Sequence, residues 1–313
     1  MSLLTHNEVM QRIALFLILA ASLEAASPFV GRWNFNLTTP GGNRASWLGI
    51  TEQNGALEIW FQPTGGNVYR LSEFQLKGKQ LQLTLGKPTD KAPRTVWELE
   101  AAGDKLTGTM RRGDNTQALA GLRAPLLDRK APKAWNKPEA LFDGKDLAGW
   151  EAMGKASDNH WVVKDGQLLN EDHGANLKTT RTFEDFKLHF EVNYPDHANS
   201  GFYLRGRYEL QLESEPLTSN PPERRIGSVY GRIAPKGDLP RTTGVWDVFD
   251  VTLVGRTLTV VRNGVTTIDA QVIEGITGGA LDANEAEPGP FYIQGDHTGG
   301  LKFRNITVST AKR

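Results

Sequence analysis

Side chains that can bind or transform a polar ligand are concentrated in residues 199–214, which read NSGFYLRGRYELQLES. From Tyr203 onward the odd positions are Tyr, Arg, Arg, Glu, Gln and Glu, and the even positions are Leu, Gly, Tyr, Leu and Leu. This period of two predicts a β-strand with one polar face. Guanidinium, carboxylate and amide groups on one face can bind planar or hydroxyl-rich ligands. A ladder of salt bridges on an exposed sheet would use the same residue types.

The preceding segment, residues 187–194, alternates in the same phase. The turn-rich residues between the two runs predict an antiparallel hairpin. In that hairpin Glu191 would lie near Arg205, and His189 near Arg207. The pairing would gather acid, base and amide groups on one face.

The composition limits the classes of function. Lys plus Arg and Asp plus Glu total 36 each, so no net charge would attract nucleic acid or an anionic membrane. With 313 residues and 39% hydrophobic content, the chain can form sizeable cores, and its length suggests two domains. The sequence has no cysteine, which excludes disulfides, thiolate metal sites and cysteine nucleophiles.

Residues 1–26 have the layout of a secretory signal peptide. Arg12 precedes an apolar run from Ile13 to Ala21, and small residues follow up to Ser27. This run is short for a permanent membrane span, so cleavage between Ser22 and Ser27 is expected. The sequence therefore predicts a periplasmic or extracellular protein with no membrane contact after cleavage.

Residues 28–125 contain short alternating runs separated by Gly, Asn and Pro, as in an all-β meander or small barrel. The opening Gly-x-Trp and the closing Leu-Thr-Gly-Thr resemble lipocalin-like or avidin-like barrels. Trp33, Trp47, Trp60 and Trp97 would line a ligand cup or fill the barrel core. Residues 126–138, rich in Pro, Lys, Arg and Asp, predict a linker between domains.

Strand patterns resume at residue 139 and continue to the C-terminus. Hairpin turns are predicted at Asp165-Gly166, Gly255-Arg256 and Asn263-Gly264. The sequence contains no convincing amphipathic helix, so two packed antiparallel sheets are expected. The predicted fold class is all-β, a C-terminal sandwich preceded by a small antiparallel barrel or meander.

A series of motifs across residues 139–308 resembles the 3-keto-disaccharide hydrolase domain, a secreted bacterial family with a concanavalin A-like jelly roll. The motifs are LFDGKDLAGW (141–150), NSG (199–201), LRGRYELQ (204–211), GSVYGRIAP (227–235), Trp246 with Asp250, GGAL (278–281), EPGP (287–290) and QGDH (294–297). The family usually has an Asp just after its Glu-x-Gln strand, and Glu213 or Glu215 stands there in this sequence.

The resemblance implies glycoside substrates that are already oxidised to a ketone at C3. Such a ketone acidifies the hydrogen on C2, so the bond to the leaving group at C1 can break by proton abstraction and elimination, followed by hydration. Ordinary glycosidases instead place two carboxylates around an oxocarbenium-like centre. The elimination needs a base near C2, a donor for the enolate oxygen and an acid for the leaving oxygen.

The candidates for catalysis are Glu209, Glu191, Arg205 and His297. One of the carboxylates or the imidazole would be the base, and Arg205 or Arg207 would stabilise the enolate. His297 directly follows Asp296, and a histidine beside a carboxylate is often a structural residue.

The candidates for binding the sugar are Arg207, Gln211, Asp296, Gln294, Tyr230 and Trp246. Gln211 and Asp296 would hold hydroxyl groups. Tyr230 and Trp246 would stack on a sugar ring, although Trp246 suits the sandwich core at least as well.

No cofactor is predicted. His189, Glu191, Asp296 and His297 offer ligand types that suit a divalent metal. No compact ligand motif in the sequence supports a metal site.

Two hypotheses from different classes follow. The first is an exported enzyme that cleaves 3-keto-glycosides, and the second is a non-catalytic carbohydrate-binding protein that uses the same jelly-roll cleft. A lectin needs hydroxyl-binding groups and a stacking aromatic ring but no base. The grouping of Arg205, Glu209 and Gln211 with a nearby acid or histidine therefore favours the enzyme.

The signal-peptide prediction can be checked by N-terminal sequencing of the protein exported by its native host. The first residue should fall between Leu23 and Ser27, because an apolar helix without a polar face would otherwise have to be buried. A mature protein that begins at Met1 would contradict export.

Overall fold

The structure is a computed structural model that describes residues 27–39, 42–86, 93–213, 220–237, 239 and 242–312. The predicted signal peptide and Glu215 lie outside these residues. In the described ranges the regular structure is β-strand apart from two short 3-10 helices, Ala156–Asp158 and Pro222–Arg224. None of the helices among these residues is long and apolar enough to cross a membrane.

The first nine strands form one antiparallel sheet. They are β1 (Gly31–Thr39), β2 (Gly42–Gln53), β3 (Ala56–Gln62), β4 (Tyr69–Arg70), β5 (Phe74–Lys77), β6 (Gln80–Leu85), β7 (Thr95–Ala102), β8 (Lys105–Arg112) and β9 (Asn115–Arg123). The hydrogen-bonded order is β4-β3-β2-β1-β9-β8-β7-β6-β5. Three residues connect β4 to β5, so the two ends of the order are neighbours along the chain. We call this curled sheet the N-terminal barrel.

The inside of the N-terminal barrel is an apolar core. Trp97 packs against Phe35 and Phe61 with ring centroids 5.0 and 5.3 Å apart, and Trp33 is fully buried in the same cluster. Trp60 is 40% exposed on the outside. Two of the four tryptophans discussed above therefore fill the barrel core.

The rest of the chain forms two antiparallel sheets. The larger contains β10 (Glu139–Ala140), β12 (Trp161–Lys164), β13 (Gln167–Asn170), β15 (Phe186–Asn193), β18 (Asp247–Val254), β19 (Thr257–Arg262), β20 (Val265–Val272) and β22 (Lys302–Thr310). The smaller contains β11 (Trp150–Met153), β14 (Asn176–Thr179), β16 (Asn199–Leu204), β17 (Tyr208–Glu213) and β21 (Tyr292–Ile293), in the order β11-β14-β21-β16-β17.

The two sheets pack face to face through aromatic rings. Phe190 of β15 stacks on Phe202 of β16 at 4.5 Å and on Phe249 of β18 at 5.0 Å. Phe186 meets Phe291 edge to face at 4.7 Å. Alternation along each strand directs these residues into one shared core. The predicted all-β fold with a C-terminal sandwich is confirmed.

The predicted hairpin turns are present. Asp165-Gly166 joins β12 to β13, and Asn263-Gly264 joins β19 to β20. All four residues have positive φ, between 51° and 79°, as two-residue turns between twisted strands require. Gly255-Arg256 joins β18 to β19, and Gly255 has a φ of 57°.

The predicted continuous strand from Tyr203 to Ser214 is wrong. The chain turns at residues 205–207, where Arg205 and Gly206 have φ of 53° and 67°, and β16 and β17 form a hairpin around this turn. Glycine tolerates this backbone at little cost and allows the tight reversal. The predicted pairing of residues 187–194 with this region is also wrong, because β15 pairs with β18 and β22 in the other sheet.

Residues 124–138 contain one isolated bridge, between Trp135 and Ala311, within the described chain. Arg129 forms ion pairs with Glu184 and Asp185 at 2.7 and 3.1 Å. This segment therefore lies against the sandwich. The division into two domains and a linker stays a prediction.

The N-terminal barrel packs directly on the sandwich. Trp47 belongs to the sandwich core, and the guanidinium of Arg232 lies 4.3 Å from its ring centre. A side chain at Gly275 would come within 2.5 Å of the Trp47 indole, so only glycine permits this contact.

A buried ionic network joins the barrel to the sandwich at a second point. Arg256 and Glu285, at 1% and 0% side-chain exposure, form an ion pair of 2.6 Å. Glu285 also accepts hydrogen bonds from Tyr208 at 2.7 Å and from Asn34 of β1 at 2.8 Å. The burial of the Glu285 carboxylate is costly without such partners.

Replacing Arg256 by Met should lower the free energy of unfolding by about 3–5 kcal/mol, because the Glu285 carboxylate would stay buried without its counter-ion. Urea unfolding followed by tryptophan fluorescence measures the change. The matched control is Arg70→Met, which breaks the exposed pair with Glu58 and should change stability by less than about 1 kcal/mol. Equal effects of the two substitutions would contradict a stabilising role for the buried network.

Candidate active site

A cavity of about 620 Å³ opens where the smaller sheet meets the N-terminal barrel. It falls within the size range of small-molecule sites, about 300–1,000 Å³. The smaller sheet and its loops contribute Met153, Asn176, Asn199, Tyr203, Glu209, Gln211, Tyr230, Gly278, Gly279, Ala280, Leu281, Tyr292, Gln294, Asp296 and His297. The barrel contributes Gly42, Asn43, Arg44, Thr64, Gly65 and Gly66.

Glu209 has a central place in this wall. It lies on β17, directly across from Tyr203 on β16, which in turn pairs with Tyr292 on β21. The three side chains therefore form a row across adjacent strands. A side chain at Gly201 would lie 2.5 Å from Oε1 of Glu209, so the glycine leaves the room that this carboxyl group occupies.

The surroundings of Glu209 disfavour its charge. The residue is only 5% exposed, and burial raises the pKa of its carboxyl group to about 8. The hydrogen bond with Tyr203 and the positive charge of His297 act in the opposite direction. A carboxyl group with this pKa can gain and lose a proton near neutral pH, as a general acid or base must.

Two stacked tyrosines support the carboxyl group. The rings of Tyr203 and Tyr292 lie 3.9 Å apart, and their hydroxyls each lie 2.7 Å from a carbonyl oxygen, of Gly278 and Gly279 respectively. The Tyr203 hydroxyl also lies 2.8 Å from Oε2 of Glu209. A hydroxyl has a single proton, so protonated Glu209 donates to Tyr203 while Tyr203 donates to Gly278.

His297 and Asp296 form a second titratable pair at the rim of the cavity. Nδ1 of His297 lies 2.7 Å from Oδ1 of Asp296. This hydrogen bond raises the pKa of His297, and the negative charge of Asp296 adds to the effect. About half of each side chain is exposed, so the imidazole can reach a ligand. The cavity thus holds a buried carboxyl group and a more exposed imidazole, and the pKa values of both are raised.

Amide groups complete the polar lining. Nε2 of Gln211 donates to Asn199 at 3.2 Å, while its buried Oε1 has no hydrogen-bond partner among the described residues. Gln294 donates to the Tyr203 hydroxyl at 3.3 Å. A buried amide oxygen without a partner is costly unless a ligand or water donates to it, so Gln211 is suited to accept from a sugar hydroxyl.

Six of the ten candidate residues from the sequence lie together in this cavity: Glu209, His297, Gln211, Asp296, Gln294 and Tyr230. The other four lie elsewhere. Tyr203, Tyr292, Asn176 and Arg44 also line the cavity and were not identified from sequence. Tyr203 would have been found if the turn at 205–207 had been recognised, because the turn places it opposite Glu209.

Arg205 and Arg207 do not line the cavity. Arg205 is buried at the turn and donates to the carbonyl of Gly255 at 2.5 Å. Arg207 forms an ion pair of 2.7 Å with Asp282 and donates to the carbonyl of Glu287 at 2.8 Å. Both side chains are held by structural partners because the turn directs them away from the row that contains Glu209.

Glu191 and Trp246 are also outside the cavity. Glu191 accepts from Arg304 at 2.7 Å and from Asn305 at 2.6 Å on the larger sheet. Arg304 in turn lies 4.0 Å above the Trp246 ring. These residues form a separate polar cluster, so the expected contact between Glu191 and Arg205 is absent.

The residues considered for a metal do not converge. His189 pairs with Asp250 at 2.8 Å on the larger sheet, while His297 pairs with Asp296 at the cavity. Across the described residues no group of three or more His, Asp or Glu side chains is arranged to hold a metal ion. Glu213, one of the two residues considered in place of the family's Asp, is the last residue of β17 and accepts a hydrogen bond from Asn220.

The raised pKa of Glu209 predicts how stability depends on pH. An unfolded glutamate has a pKa of about 4.3, so the folded state holds one more proton between that value and about 8. The stability that the neutral carboxyl allows is complete at pH 4, falls as the pH rises above the unfolded pKa, and is fully lost once the pH has passed about 8. Glu209→Gln removes this loss, so its melting temperature should exceed that of the wild type by several degrees at pH 9 and match it at pH 4.

Thermal unfolding of both proteins across this pH range measures the difference. Glu100→Gln, which changes an exposed carboxylate on β7, is the matched control and should show no such divergence. A constant difference between Glu209→Gln and the wild type from pH 4 to pH 9 would show that Glu209 has an ordinary pKa.

Comparison with known proteins places the C-terminal part of the chain in a family. Residues 137–309 match the family described as the 3-keto-alpha-glucoside-1,2-lyase-like domain. Among curated proteins none matches the chain.

Three similar solved structures cover just over half of the chain. A candidate glycosyl hydrolase from Parabacteroides distasonis ATCC 8503 is 30% identical, with 55% of this chain and 82% of that chain covered and a TM-score of 0.47. A second from the same organism is 17% identical, with 56% and 94% covered and a TM-score of 0.47. Domain 4 of AbnA, an extracellular GH43 arabinanase from Geobacillus stearothermophilus solved with arabinotriose, is 11% identical, with 58% and 94% covered and a TM-score of 0.37.

The family match confirms the resemblance that the motifs indicated, and it agrees with a carbohydrate-active protein. It spans more than half of the 313 residues and contains every sandwich residue that lines the cavity. The chain therefore belongs to the 3-keto-alpha-glucoside-1,2-lyase-like domain family.

Proposed function

We propose that this protein is an exported enzyme that cleaves 3-keto-glycosides by elimination across C1 and C2. The observation that carries the proposal is the buried carboxyl group of Glu209, whose pKa of about 8 suits proton transfer, in the wall of a polar cavity. Export rests on the N-terminal sequence alone.

In the proposed reaction the carboxylate of Glu209 removes the proton from C2. The electron pair of the C–H bond becomes an enolate that extends to the oxygen on C3. Hydrogen-bond donors in the cavity, such as the Tyr230 hydroxyl and the Gln294 amide, are available for this oxygen. Donors that meet developing negative charge in a buried site contribute strongly to catalysis.

The enolate then reforms the C3 carbonyl, a double bond forms between C1 and C2, and the bond from C1 to the leaving oxygen breaks with its electron pair. His297, whose pKa is raised by its hydrogen bond to Asp296, donates the proton that this oxygen needs. The proton taken by Glu209 and the proton given by His297 balance. Addition of water across the new double bond gives the 3-keto sugar.

Tyr203 has a positioning role in this scheme. Its hydroxyl bridges the Glu209 carboxyl and the Gly278 carbonyl, so it fixes the carboxyl group in one orientation in both protonation states. As the carboxylate forms, Tyr203 can donate to it instead of to Gly278. The hydrogen bond therefore lowers the cost of the charged form at the moment the base is needed.

The proposal predicts that the protein cleaves 4-nitrophenyl 3-keto-β-glucoside and its α-anomer, or one of the two, but not the unoxidised parents. Glu209→Gln should lower kcat by about a hundredfold to ten-thousandfold while the protein stays folded. Glu191→Gln, a substitution outside the cavity, is the matched control and should retain nearly full turnover. Nitrophenolate release measures both.

The pH profile gives an independent check. At acidic pH, kcat/KM of the wild type should rise about tenfold per pH unit as the fraction of Glu209 in the carboxylate form grows, and it should fall again at high pH, where His297 has lost its proton. Glu209→Gln should lack the rising limb.

Tight binding of the keto-sugar without turnover would instead support the carbohydrate-binding alternative.

A further inference from the structure

The N-terminal barrel supplies part of the cavity wall, although it lies outside residues 137–309 that match the family. Its contribution comes from two places, the start of β2 at Gly42–Arg44 and the loop Thr64–Gly66 after β3. A ligand in the cavity therefore contacts residues of both the N-terminal barrel and the sandwich. Only the sandwich lies within the residues that match the family.

The loop Thr64–Gly66 is fixed against the sandwich. The amide of Gly279 donates to the carbonyl of Thr64 at 3.1 Å. A side chain at Gly278 would lie 2.6 Å from the amide nitrogen of Gly66, so the two backbones are in direct contact. Buried Gln62 donates to the carbonyl of Gly66 at 2.9 Å and holds the loop from the barrel side. The barrel wall is thus a fixed part of the site.

One cation in the cavity wall has no counter-ion within the described chain. The Arg, Asp, Glu and His residues that line the cavity are Arg44, Glu209, Asp296 and His297. Asp296 pairs with His297, and Glu209 is largely neutral below pH 8. Arg44 is exposed, and the described residues include no carboxylate that forms an ion pair with it. The Arg44 guanidinium is therefore available to a negatively charged group of a ligand.

Arg44 lines the same cavity as the row of Glu209, Tyr203 and Tyr292. Tyr292 stacks on Tyr203, which contacts Glu209. Burial raises the pKa of the Tyr292 hydroxyl far above its ordinary value, and the positive charge of Arg44 opposes this rise. A ligand that contacts this row therefore shares the cavity with the guanidinium.

The site's geometry limits which part of a substrate reaches Arg44. The reacting ring must place C2 at Glu209 on the sandwich wall, and its hydroxyls meet the amides of that wall. The group attached at C1 is then the part left to meet the barrel wall. An arginine is well suited to bind a carboxylate or phosphate there, because its planar N–H groups match two oxygens.

We propose that the barrel wall, with Arg44 as its cationic residue, forms a subsite that selects 3-keto-glycosides whose leaving group carries a negative charge. This inference rests on the proposed function for the identity of the reacting sugar. The attraction between Arg44 and a negatively charged group depends only on the residues that line the cavity.

The test compares two substrates that differ in one charge, the 3-keto-glucosides of 4-hydroxybenzoate and of 4-hydroxybenzamide, with the full-length protein. The wild type should show a kcat/KM about fivefold to tenfold higher for the carboxylate, as expected for a partly exposed charge-assisted hydrogen bond. Arg44→Gln should remove this preference, so that the ratio of kcat/KM for the carboxylate to kcat/KM for the amide falls to about one. The preference should also weaken as salt is added.

Arg111→Gln is the matched control, because it removes an exposed positive charge from β8, which does not line the cavity. It should keep the preference for the carboxylate. An unchanged preference in Arg44→Gln, or an equal loss in Arg111→Gln, would overturn the inference while leaving the proposed reaction intact.

Failure of the proposed function gives a different result. If the wild type cleaves neither keto-glucoside, the reaction is wrong, and isothermal titration calorimetry with the same two compounds still tests the subsite. Tighter binding of the carboxylate that Arg44→Gln abolishes would support it. Equal affinity of the wild type for both compounds would refute it.

Discussion

The arrangement of the whole cavity depends on one constraint, the burial of an ionisable carboxyl group on the polar face of β17. Alternation directs Tyr208, Leu210 and Leu212 into the sandwich core and Glu209 to the opposite side. Both faces of β17 are buried. On the polar side lie the sandwich residues Thr277 and Gly278, which hydrogen-bond to Glu209 and Tyr203, and the barrel loop Thr64–Gly66, which lines the same cavity. Burial converts Glu209 from an ordinary surface acid into one that stays protonated near neutral pH.

Much of the fold was predictable from local pattern. Turns such as Asn263-Gly264 have a strong sequence signal because their backbone geometry demands particular residues, and the sequence located them correctly. The apolar alternation of β15 and β18 also identified buried strands. Such features depend on neighbours along the chain, so the sequence alone determines them.

Strand pairing was harder to predict from the sequence than the turns were. Period-two alternation continues through Arg205-Gly206-Arg207, so the turn there has no break in the pattern, and residues 203–213 read as one strand. β15 was assigned to the wrong partner for a related reason, since alternation defines the face of a strand but not its neighbour. No pattern in the sequence identified Arg44 as a site residue. Its place in the cavity wall depends on how the barrel docks on the sandwich, which no local pattern encodes.

The same docking explains why arginines far from the ligand are still important for the site. The turn that contains Arg205 and Arg207 sets the register of β16 against β17, and that register places Tyr203 opposite Glu209. Arg207 fixes the turn to Asp282, and the neighbouring Asn34–Glu285 contact fixes the barrel beside it. A second contact, between Thr64 and Gly279, holds the carbonyls that accept from both tyrosines. The barrel is therefore attached at two places beside the hairpin, one next to Tyr208 and one next to Tyr203, and any movement of the barrel would alter the burial on which the raised pKa of Glu209 depends.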